Sequence, residues 1–168
     1  MLRDRYLEAM SEAAATVSVV TTDGPAGRAG VTVSAMCSVS ADPPTILVCV
    51  HHLSPACRAI RANGVFCVNV LGDEQSAISD TFAGRQRTAS GDKFDCAEWR
   101  ALATGAPALD DPLVALDCRL VEHLRQGSHY VFIGEVADLA LGDGAPLVYA
   151  KRAYRGLGLP LEALAAAA

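Results

Sequence analysis

Apolar and hydroxyl-bearing residues alternate between Gly30 and Ser40 with the period of an extended strand. The apolar face comprises Val31, Val33, Ala35, Cys37 and Val39. The opposite face comprises Thr32, Ser34, Met36, Ser38 and Ser40. We expect the first face to lie in the core, and the small uncharged hydroxyls of the second face to suit hydrogen bonding to a polar ligand. A half-exposed strand rich in Ser and Thr would show the same spacing.

Three helices are predicted by apolar residues that recur at three- and four-residue spacing. The first covers residues 3–14. The second begins at Ser54 and Pro55, which suit the N-cap and the first helical position, and ends at Gly64. The N-terminus of this second helix can hold an anion. The third helix covers residues 73–82.

Runs of β-branched and other apolar residues predict the strands. They cover residues 16–22, 30–40, 45–50, 65–71, 113–125, 129–141 and 147–150. The 45–50 run is almost entirely apolar and is expected to be buried on both faces. Periodicity fades between residues 85 and 111, which predicts a long loop carrying Trp99. About seven or eight strands, many in direct succession, and three helices predict a mainly β fold: an antiparallel barrel with peripheral helices rather than a doubly wound sheet.

Composition narrows the class of protein. A chain of 168 residues is expected to form a single domain over residues 1–168, and its 51% hydrophobic and 20% charged residues exclude a mainly disordered state. The net charge of −5 argues against binding to nucleic acid or to an anionic membrane. The charged N-terminal segment and the lack of a long apolar run predict a cytoplasmic protein without a membrane span.

Self-sufficient chemical motifs are missing from the sequence. There is no Gly-x-x-x-x-Gly-Lys loop, no Gly-x-Ser-x-Gly elbow and no His-Glu-x-x-His pair. The six cysteines include no Cys-x-x-Cys pair, so we expect no bound metal. Four of them lie in apolar or alternating runs and are expected to be buried free thiols: Cys37, Cys49, Cys67 and Cys118. Such a chain either binds a ligand passively or lets a cofactor perform the difficult step.

Several segments, taken in order, resemble one known family. They are residues 30–40, Pro43-Pro44, Val68-Asn69-Val70-Leu71, Phe82-Ala83-Gly84, Trp99 ahead of Ala103-Thr104-Gly105-Ala106-Pro107, Gly127-Ser128-His129 and Gly134-Glu135-Val136. Together they make residues 3–155 similar to the short-chain flavin reductases, the reductase components of two-component flavin-dependent monooxygenases such as that of 4-hydroxyphenylacetate 3-monooxygenase. The resemblance implies an FMN-binding split barrel with Greek-key strand order, and a homodimer. It also implies that NADH or NADPH reduces diffusible FMN or FAD, which then serves a separate monooxygenase.

The same resemblance implies the flavin-binding residues. Thr32, Val33, Ser34 and Ala35 would contact the flavin ring and its ribityl chain, and Ser40 would lie near the same site. The turn containing His51, His52 and Ser54 would bind the flavin phosphate. Family members often carry Asn, then Arg or Lys, then Ser where this chain has His51, His52 and Leu53. Histidine replaces the fixed positive charge only where it is protonated. Phe82, Ala83 and Gly84 would line the flavin from the opposite side, and Arg85 could reach a phosphate.

Three further residues match family positions near the nicotinamide. They are His129, which is the one catalytic candidate, and Tyr154 with Arg155 in the C-terminal segment. From the residues alone, other interpretations stay open. Phe82 is also consistent with the last core residue of a helix, His129 with a strand-end histidine and Tyr154 with a surface aromatic residue.

Two other functions are compatible with the same sequence. In the first, a tightly held reduced flavin passes electrons to a bound acceptor such as a cobalt corrin. In the second, the chain is a flavin-binding redox sensor that does not turn over. No side-chain acid is required for hydride transfer to a flavin, so the missing catalytic motifs do not separate these readings.

Overall fold

The protein is described from a computed structural model in which residues 1–157 are placed. Its α-helices are α1 (Leu2–Glu12), α2 (Pro55–Asn63) and α3 (Ser76–Phe82). Turns of 3₁₀ helix lie at Asp73–Gln75 and Lys93–Cys96. The strands are β1 (Ala15–Thr16), β2 (Ser18–Thr22), β3 (Ala29–Val33), β4 (Met36–Ala41), β5 (Pro44–His51), β6 (Val65–Val70), β7 (Trp99–Ala101), β8 (Pro107–Leu109), β9 (Val114–Gln126), β10 (His129–Leu141), β11 (Val148–Ala150) and β12 (Ala153–Arg155).

Seven strands form one antiparallel sheet in the order β3-β2-β6-β9-β10-β5-β4. The two edge strands, β3 and β4, follow each other in the chain and are separated only by Ser34 and Ala35. On β5, the Cys49 amide donates a hydrogen bond of 3.0 Å to the Ala35 carbonyl. The sheet therefore curls until its two edges meet at this corner, and the edges separate elsewhere. The predicted mainly β fold, an antiparallel split barrel with three helices, is confirmed.

The barrel interior is filled by apolar side chains from every strand of the sheet. Phe66 and Phe132 are fully buried there with Val48 and Val68, and Ile60 of α2 packs against them. Helix α2 matches its sequence signals, because Pro55 occupies the first turn and Gly64 ends the helix with φ +72°. Through Ile60 the helix lies against the barrel core, and it begins directly after the turn that ends β5.

Residues 93–109 cover the outer face of β2, β6 and β9, where two buried polar side chains hold them. Asn69 donates to the carbonyl of Val19 at 3.1 Å and accepts from the Leu109 amide at 2.7 Å. Asp117 accepts hydrogen bonds from the amide and the hydroxyl of Thr104. The segment that the sequence indicates as a long loop is thus fixed by a small hairpin, β7 with β8, and by buried hydrogen bonds.

The structure corrects the expectation for residues 30–40. They do not form one strand, because the ribbon breaks at Ser34 and Ala35 and the facing of the side chains reverses beyond the break. Met36 packs against the core, whereas Cys37 and Val39 are exposed. The reason is that the two halves pair with strands from opposite edges of the sheet.

Other expectations are corrected in detail. Strand β5 is fully buried on one face only, through Ile46, Val48 and Val50, and its other face is half-buried. Among the four cysteines expected to be buried, Cys37 is exposed and Cys49 is half-buried. The segment predicted as the third helix begins with the 3₁₀ turn at Asp73–Gln75 and becomes α-helical at Ser76. A short strand, β12, follows β11. The alanine-rich end of the sequence lies in residues 158–168, outside the described residues.

We expect Gly30→Ala to destabilise the fold by about 1–3 kcal/mol, because overpacking displaces buried groups. A Cβ at Gly30 would lie 2.5 Å from Cε1 of Phe82, whose ring is 1% exposed. The matched control is Gly72→Ala, since Gly72 has an ordinary φ of −73° and a Cβ there would meet nothing closer than 3.8 Å. Urea unfolding of both variants measures the difference, and equal midpoints would contradict the packing.

Asn69→Ala is expected to cost about 2–3 kcal/mol of unfolding free energy, because it leaves the buried Leu109 amide without its acceptor. The loss should loosen residues 93–109 first. Hydrogen exchange of the Leu109 amide and the urea midpoint check both parts. An unchanged exchange rate at Leu109 would contradict the assignment of Asn69 as the anchor of this segment.

Candidate functional site

Three cavities meet at the corner where the sheet closes, and Ser34 lines all of them. The histidine cavity, about 490 Å³, is bounded by His51 and His129. The tyrosine cavity, about 170 Å³, is bounded by Tyr149 and Tyr154. The helix cavity, about 580 Å³, lies against α1. The corner residues are thus shared walls, so a ligand bound at Ser34 can extend into more than one cavity.

Two hydroxyls on this corner differ in what they can offer a ligand. Thr32 donates its hydroxyl proton to the Ser79 carbonyl at 2.6 Å, which leaves its oxygen able only to accept from a ligand. Ser34 is exposed, and its hydroxyl has no hydrogen-bond partner among residues 1–157. Ser34 therefore has both a donor and acceptor capacity for a bound molecule.

The histidine cavity ends at a cluster of three imidazoles, which we call the histidine cluster: His51, His52 and His129. His51 ends β5 and pairs directly with His129 at the start of β10. The ring of His51 stacks on that of His52 at 4.9 Å and meets the ring of His129 edge-on at 5.1 Å. Antiparallel pairing of two strand ends, rather than proximity in sequence, brings these side chains together.

Local hydrogen bonds hold the imidazoles in place. Nδ1 of His52 donates to the Ser128 carbonyl at 2.9 Å, and Nδ1 of His51 accepts from the Leu53 amide at 3.2 Å. Nδ1 of His129 lies 2.9 Å from the Ser128 hydroxyl. Partial burial lowers the pKa of His129, and the neighbouring His51 and His52 lower it further.

A hydrogen-bonded network closes the tyrosine cavity. The Tyr154 hydroxyl donates to Asp80 Oδ1 at 2.7 Å and lies 2.8 Å from the Ser79 hydroxyl. Nη1 of Arg85 reaches Asp80 at 3.3 Å and the Tyr154 oxygen at 3.4 Å. Burial raises the pKa of the Tyr154 hydroxyl, so it remains protonated at neutral pH. Strand β12 is thereby tied to α3 across the cavity mouth.

Most residues that the sequence singled out do meet at this corner. Those that line one or both of the first two cavities are Thr32, Val33, Ser34, Ala35, His51, Ala83, Arg85, His129 and Tyr154. His52 and Ser54 stand in the adjoining turn without lining either cavity. The side chain of Ser54 makes no capping hydrogen bond to α2.

Four of the residues lie elsewhere. Phe82 ends α3 and is buried in an aromatic cluster with Phe94 and Trp99, at 5.1 and 5.5 Å between ring centroids. Ser40 is opposite Thr45 at the far end of β4, about 20 Å along β5 from His51. Gly84 is exposed and lines neither cavity, and Arg155 donates to the Ala150 carbonyl.

Sequence reasoning missed several lining residues. Cys49 and Gln126 line the histidine cavity, and Ser79 and Tyr149 line the tyrosine cavity. Cys49 could have been found from its strand, because it alternates with the buried Val48 and Val50 and therefore faces the side on which His51 lies. Burial raises the pKa of its thiol, so the thiol is un-ionised at neutral pH. The other three carry no signal in the sequence.

The arrangement is suited to binding rather than to acid, base or nucleophilic chemistry by the protein. Neither the histidine cavity nor the tyrosine cavity has a carboxylate among its lining residues. Within residues 1–157 there is no group of three His, Cys, Asp or Glu side chains disposed around a metal ion. In the same residues, every helix is too short or too polar to cross a bilayer. A hydroxyl-lined corner with an imidazole cluster at one end suits a flat polar ligand that carries an anion.

Comparisons with known proteins agree with this geometry. The chain is 46% identical over 156 residues to a protein of Ancylobacter novellus named FMN reductase (NADH) RutF, covering 92% of this chain and 85% of the relative. The solved structure of flavin reductase PheA2 is similar with a TM-score of 0.84 and 30% identity, covering 93% of this chain and 99% of that one.

A second solved structure is BorF, the flavin reductase component of a bacterial two-component tryptophan halogenase. It is similar with a TM-score of 0.81 and 32% identity, covering 94% of this chain and 99% of BorF. The model of the flavin reductase like domain matches residues 10–158. These matches span nearly the whole described fold, and the chain belongs to the flavin reductase-like family.

Proposed function

We propose that this protein is an NADH-dependent FMN reductase that supplies reduced flavin to a separate oxygenase. The observation that carries the proposal is the corner at Ser34 and Ala35, where one unpartnered hydroxyl is shared by adjoining cavities. The relative in Ancylobacter novellus bears the name of that activity, and BorF is the reductase component of a two-component system. FMN and NADH are accordingly proposed ahead of FAD and NADPH.

The residues present fit a flavin. The histidine cavity, about 490 Å³, falls in the size class of small-molecule sites, and its walls combine apolar Val33 and Ala35 with the Ser34 hydroxyl. Bound flavin would accept a hydride from the nicotinamide of NADH, which is chemistry that the cofactors themselves supply. The task left to the protein is to hold the two rings in contact and to exclude competing arrangements.

Each lining residue then has a proposed part. Ser34 and Thr32 would hydrogen-bond the polar edge of the flavin, and His51 would lie towards its phosphate. His129, on the same cavity, is proposed to orient the nicotinamide or the phosphate rather than to transfer a proton. Tyr154, tied to Asp80 and Arg85, would bound the space left for the second ring.

Exposure of the site supports a diffusible flavin. Ser34, His51 and His129 are all exposed in the described chain, so a flavin can reach them without a rearrangement of this chain. A reductase that serves a separate oxygenase must release its product, and an open site favours release. This feature favours the diffusible-flavin function over a tightly held flavin that reduces a bound acceptor.

The assembly is proposed to be a homodimer built from single domains over residues 1–168, with their core in residues 3–155. Helix α1 has no buried residue, although Tyr6, Leu7 and Met10 are apolar and between 46% and 60% exposed. An apolar face of that kind favours burial against another chain. All six cysteines are free, which supports a reducing compartment such as the cytoplasm.

The activity is tested by following NADH absorbance with purified protein and FMN. We expect NADH consumption that depends on both protein and FMN, with kcat on the order of 1–1000 s⁻¹. Riboflavin and FAD in place of FMN, and NADPH in place of NADH, define the preference. A rate no higher than that of free flavin would sink the proposed function. Flavin that stays with the protein through gel filtration would favour a bound acceptor instead.

Ser34→Ala is expected to weaken FMN binding about fivefold, the loss of one hydrogen bond of about 1 kcal/mol. Because the Ser34 hydroxyl has no protein partner in the described chain, its removal should leave the melting temperature unchanged. Thr32→Val should lower both the FMN affinity and the melting temperature, since the Thr32 hydroxyl also donates a hydrogen bond to the Ser79 carbonyl. The matched control is Ser38→Ala, an exposed serine on β4 outside the cavities. Titration of FMN fluorescence measures the affinity, and equal affinities for Ser34→Ala and Ser38→Ala would contradict this role.

A further inference from the structure

We propose that the histidine cluster is a proton-linked phosphate site, which takes up a proton when the FMN phosphate binds and therefore holds FMN more weakly as pH rises. This inference rests on the proposed function, because it takes FMN as the occupant of the histidine cavity. It adds that the imidazoles of His51, His52 and His129 act there as one cluster, and that pH controls how strongly the cluster holds the phosphate.

The cluster concentrates titratable groups where no acid balances them. It holds three of the four histidines of the chain, and no ion pair within residues 1–157 involves any of them. The residues that line the histidine cavity include no carboxylate. Three adjacent imidazoles without an acidic partner present donors but no competing negative charge, which favours an anionic ligand.

The other titratable and charged groups around the cluster come from four elements. On β5 there is the un-ionised Cys49 thiol, and on β10 there is Tyr130. Arg125 of β9 donates through Nε to the Gly127 carbonyl. Helix α2 carries Arg58 and Arg61, and Arg61 lies over the Tyr130 ring at 4.8 Å. Strand β3 contributes only uncharged residues to the cavity. The charged side chains named on these elements are all arginines, so none of them competes with an anionic ligand for the imidazoles.

Hydrogen bonds assign where the protons lie. His51 accepts at Nδ1 from the Leu53 amide, so a neutral His51 carries its proton on Nε2 and can donate to a ligand. His52 donates from Nδ1 to the Ser128 carbonyl, so its Nε2 is the position that an added proton takes. The Ser128 hydroxyl can either donate to or accept from Nδ1 of His129, so His129 can adopt either charge without losing that contact.

The groups next to His129 determine in which direction pH changes the affinity for FMN. Without ligand, partial burial and the two adjacent imidazoles hold the pKa of His129 below its ordinary value. A phosphate beside the cluster reverses the balance, since negative charge stabilises imidazolium and raises the pKa. Between the free and the bound pKa, binding takes up a proton, and the affinity falls as pH rises. An arginine or lysine in this turn would give no such dependence near neutral pH.

The test compares FMN with riboflavin, which has the same ring and ribityl chain but no phosphate. Dissociation constants of both are measured by fluorescence titration between pH 6.5 and 8.5 at constant ionic strength. Their ratio isolates the phosphate contribution at each pH. We expect the preference for FMN to fall with rising pH by up to about tenfold per pH unit for each proton taken up. Ionisation of the phosphate itself, with a pKa near 6, would change the preference in the opposite direction.

Variants assign the effect to the cluster. In the double variant His51→Gln and His129→Gln, the preference for FMN over riboflavin should be small and independent of pH. The matched control is His123→Gln, since His123 lies on β9 outside the cavity, where its Nε2 accepts from Arg61 at 3.1 Å. This control should retain the full pH dependence of the wild type.

A direct measurement on the unmodified protein does not depend on the variants folding. In weakly buffered solution near pH 7, adding FMN should raise the pH through proton uptake, and adding riboflavin should not. Binding of both flavins with a preference that does not change with pH would overturn the histidine proposal alone. A pH dependence found only in the KM for NADH would likewise overturn the histidine proposal alone. Failure of both flavins to bind would instead overturn the proposed function.

Discussion

Closure of the sheet at Ser34 and Ala35 is the constraint on which the rest of the structure depends. A curled antiparallel sheet of seven strands has two edges, and this chain passes directly from one edge to the other through two residues. Ala35 extends the pairing of β4 with β5 through the hydrogen bond from the Cys49 amide to its carbonyl, and Ser34 links it directly to the end of β3, so the two edges are held together at this corner. The same interruption turns Ser34 away from the core and opens the cavities on either side of it.

Packing outside the barrel supports β3, the strand that leads into that corner. Phe82 fills the space that Gly30 leaves on β3, and Phe94 and Trp99 support its ring. Farther along the outer face, Asn69 and Asp117 fix residues 93–109 with buried hydrogen bonds, which are costly to break. Residues that match family motifs can thus serve the site without touching a ligand. Phe82 is the clearest case, because it positions β3 from behind.

The chemistry fits a protein that binds and orients its cofactors. An uncharged hydroxyl corner, a cluster of imidazoles and a tyrosine network offer hydrogen bonds, and the cavities they line contain no strong acid or metal group within the described residues. In the proposed phosphate site, the groups that recognise the anion are the imidazoles of the histidine cluster. Membership of the flavin reductase-like family agrees with such a division of labour between protein and cofactor.

The sequence by itself determined most strands of the seven-stranded sheet, the three helices and the fold class, because hydrophobic periodicity and the caps at Pro55 and Gly64 are local signals. It also located the hydroxyls of Thr32 and Ser34 and the histidine turn, through family motifs. Only the tertiary structure decided the break after Val33, the burial of Phe82, and the meeting of His129 with His51. These depend on which strands pair and on what lies across the sheet, and contacts between residues far apart in the chain leave no periodic trace in it.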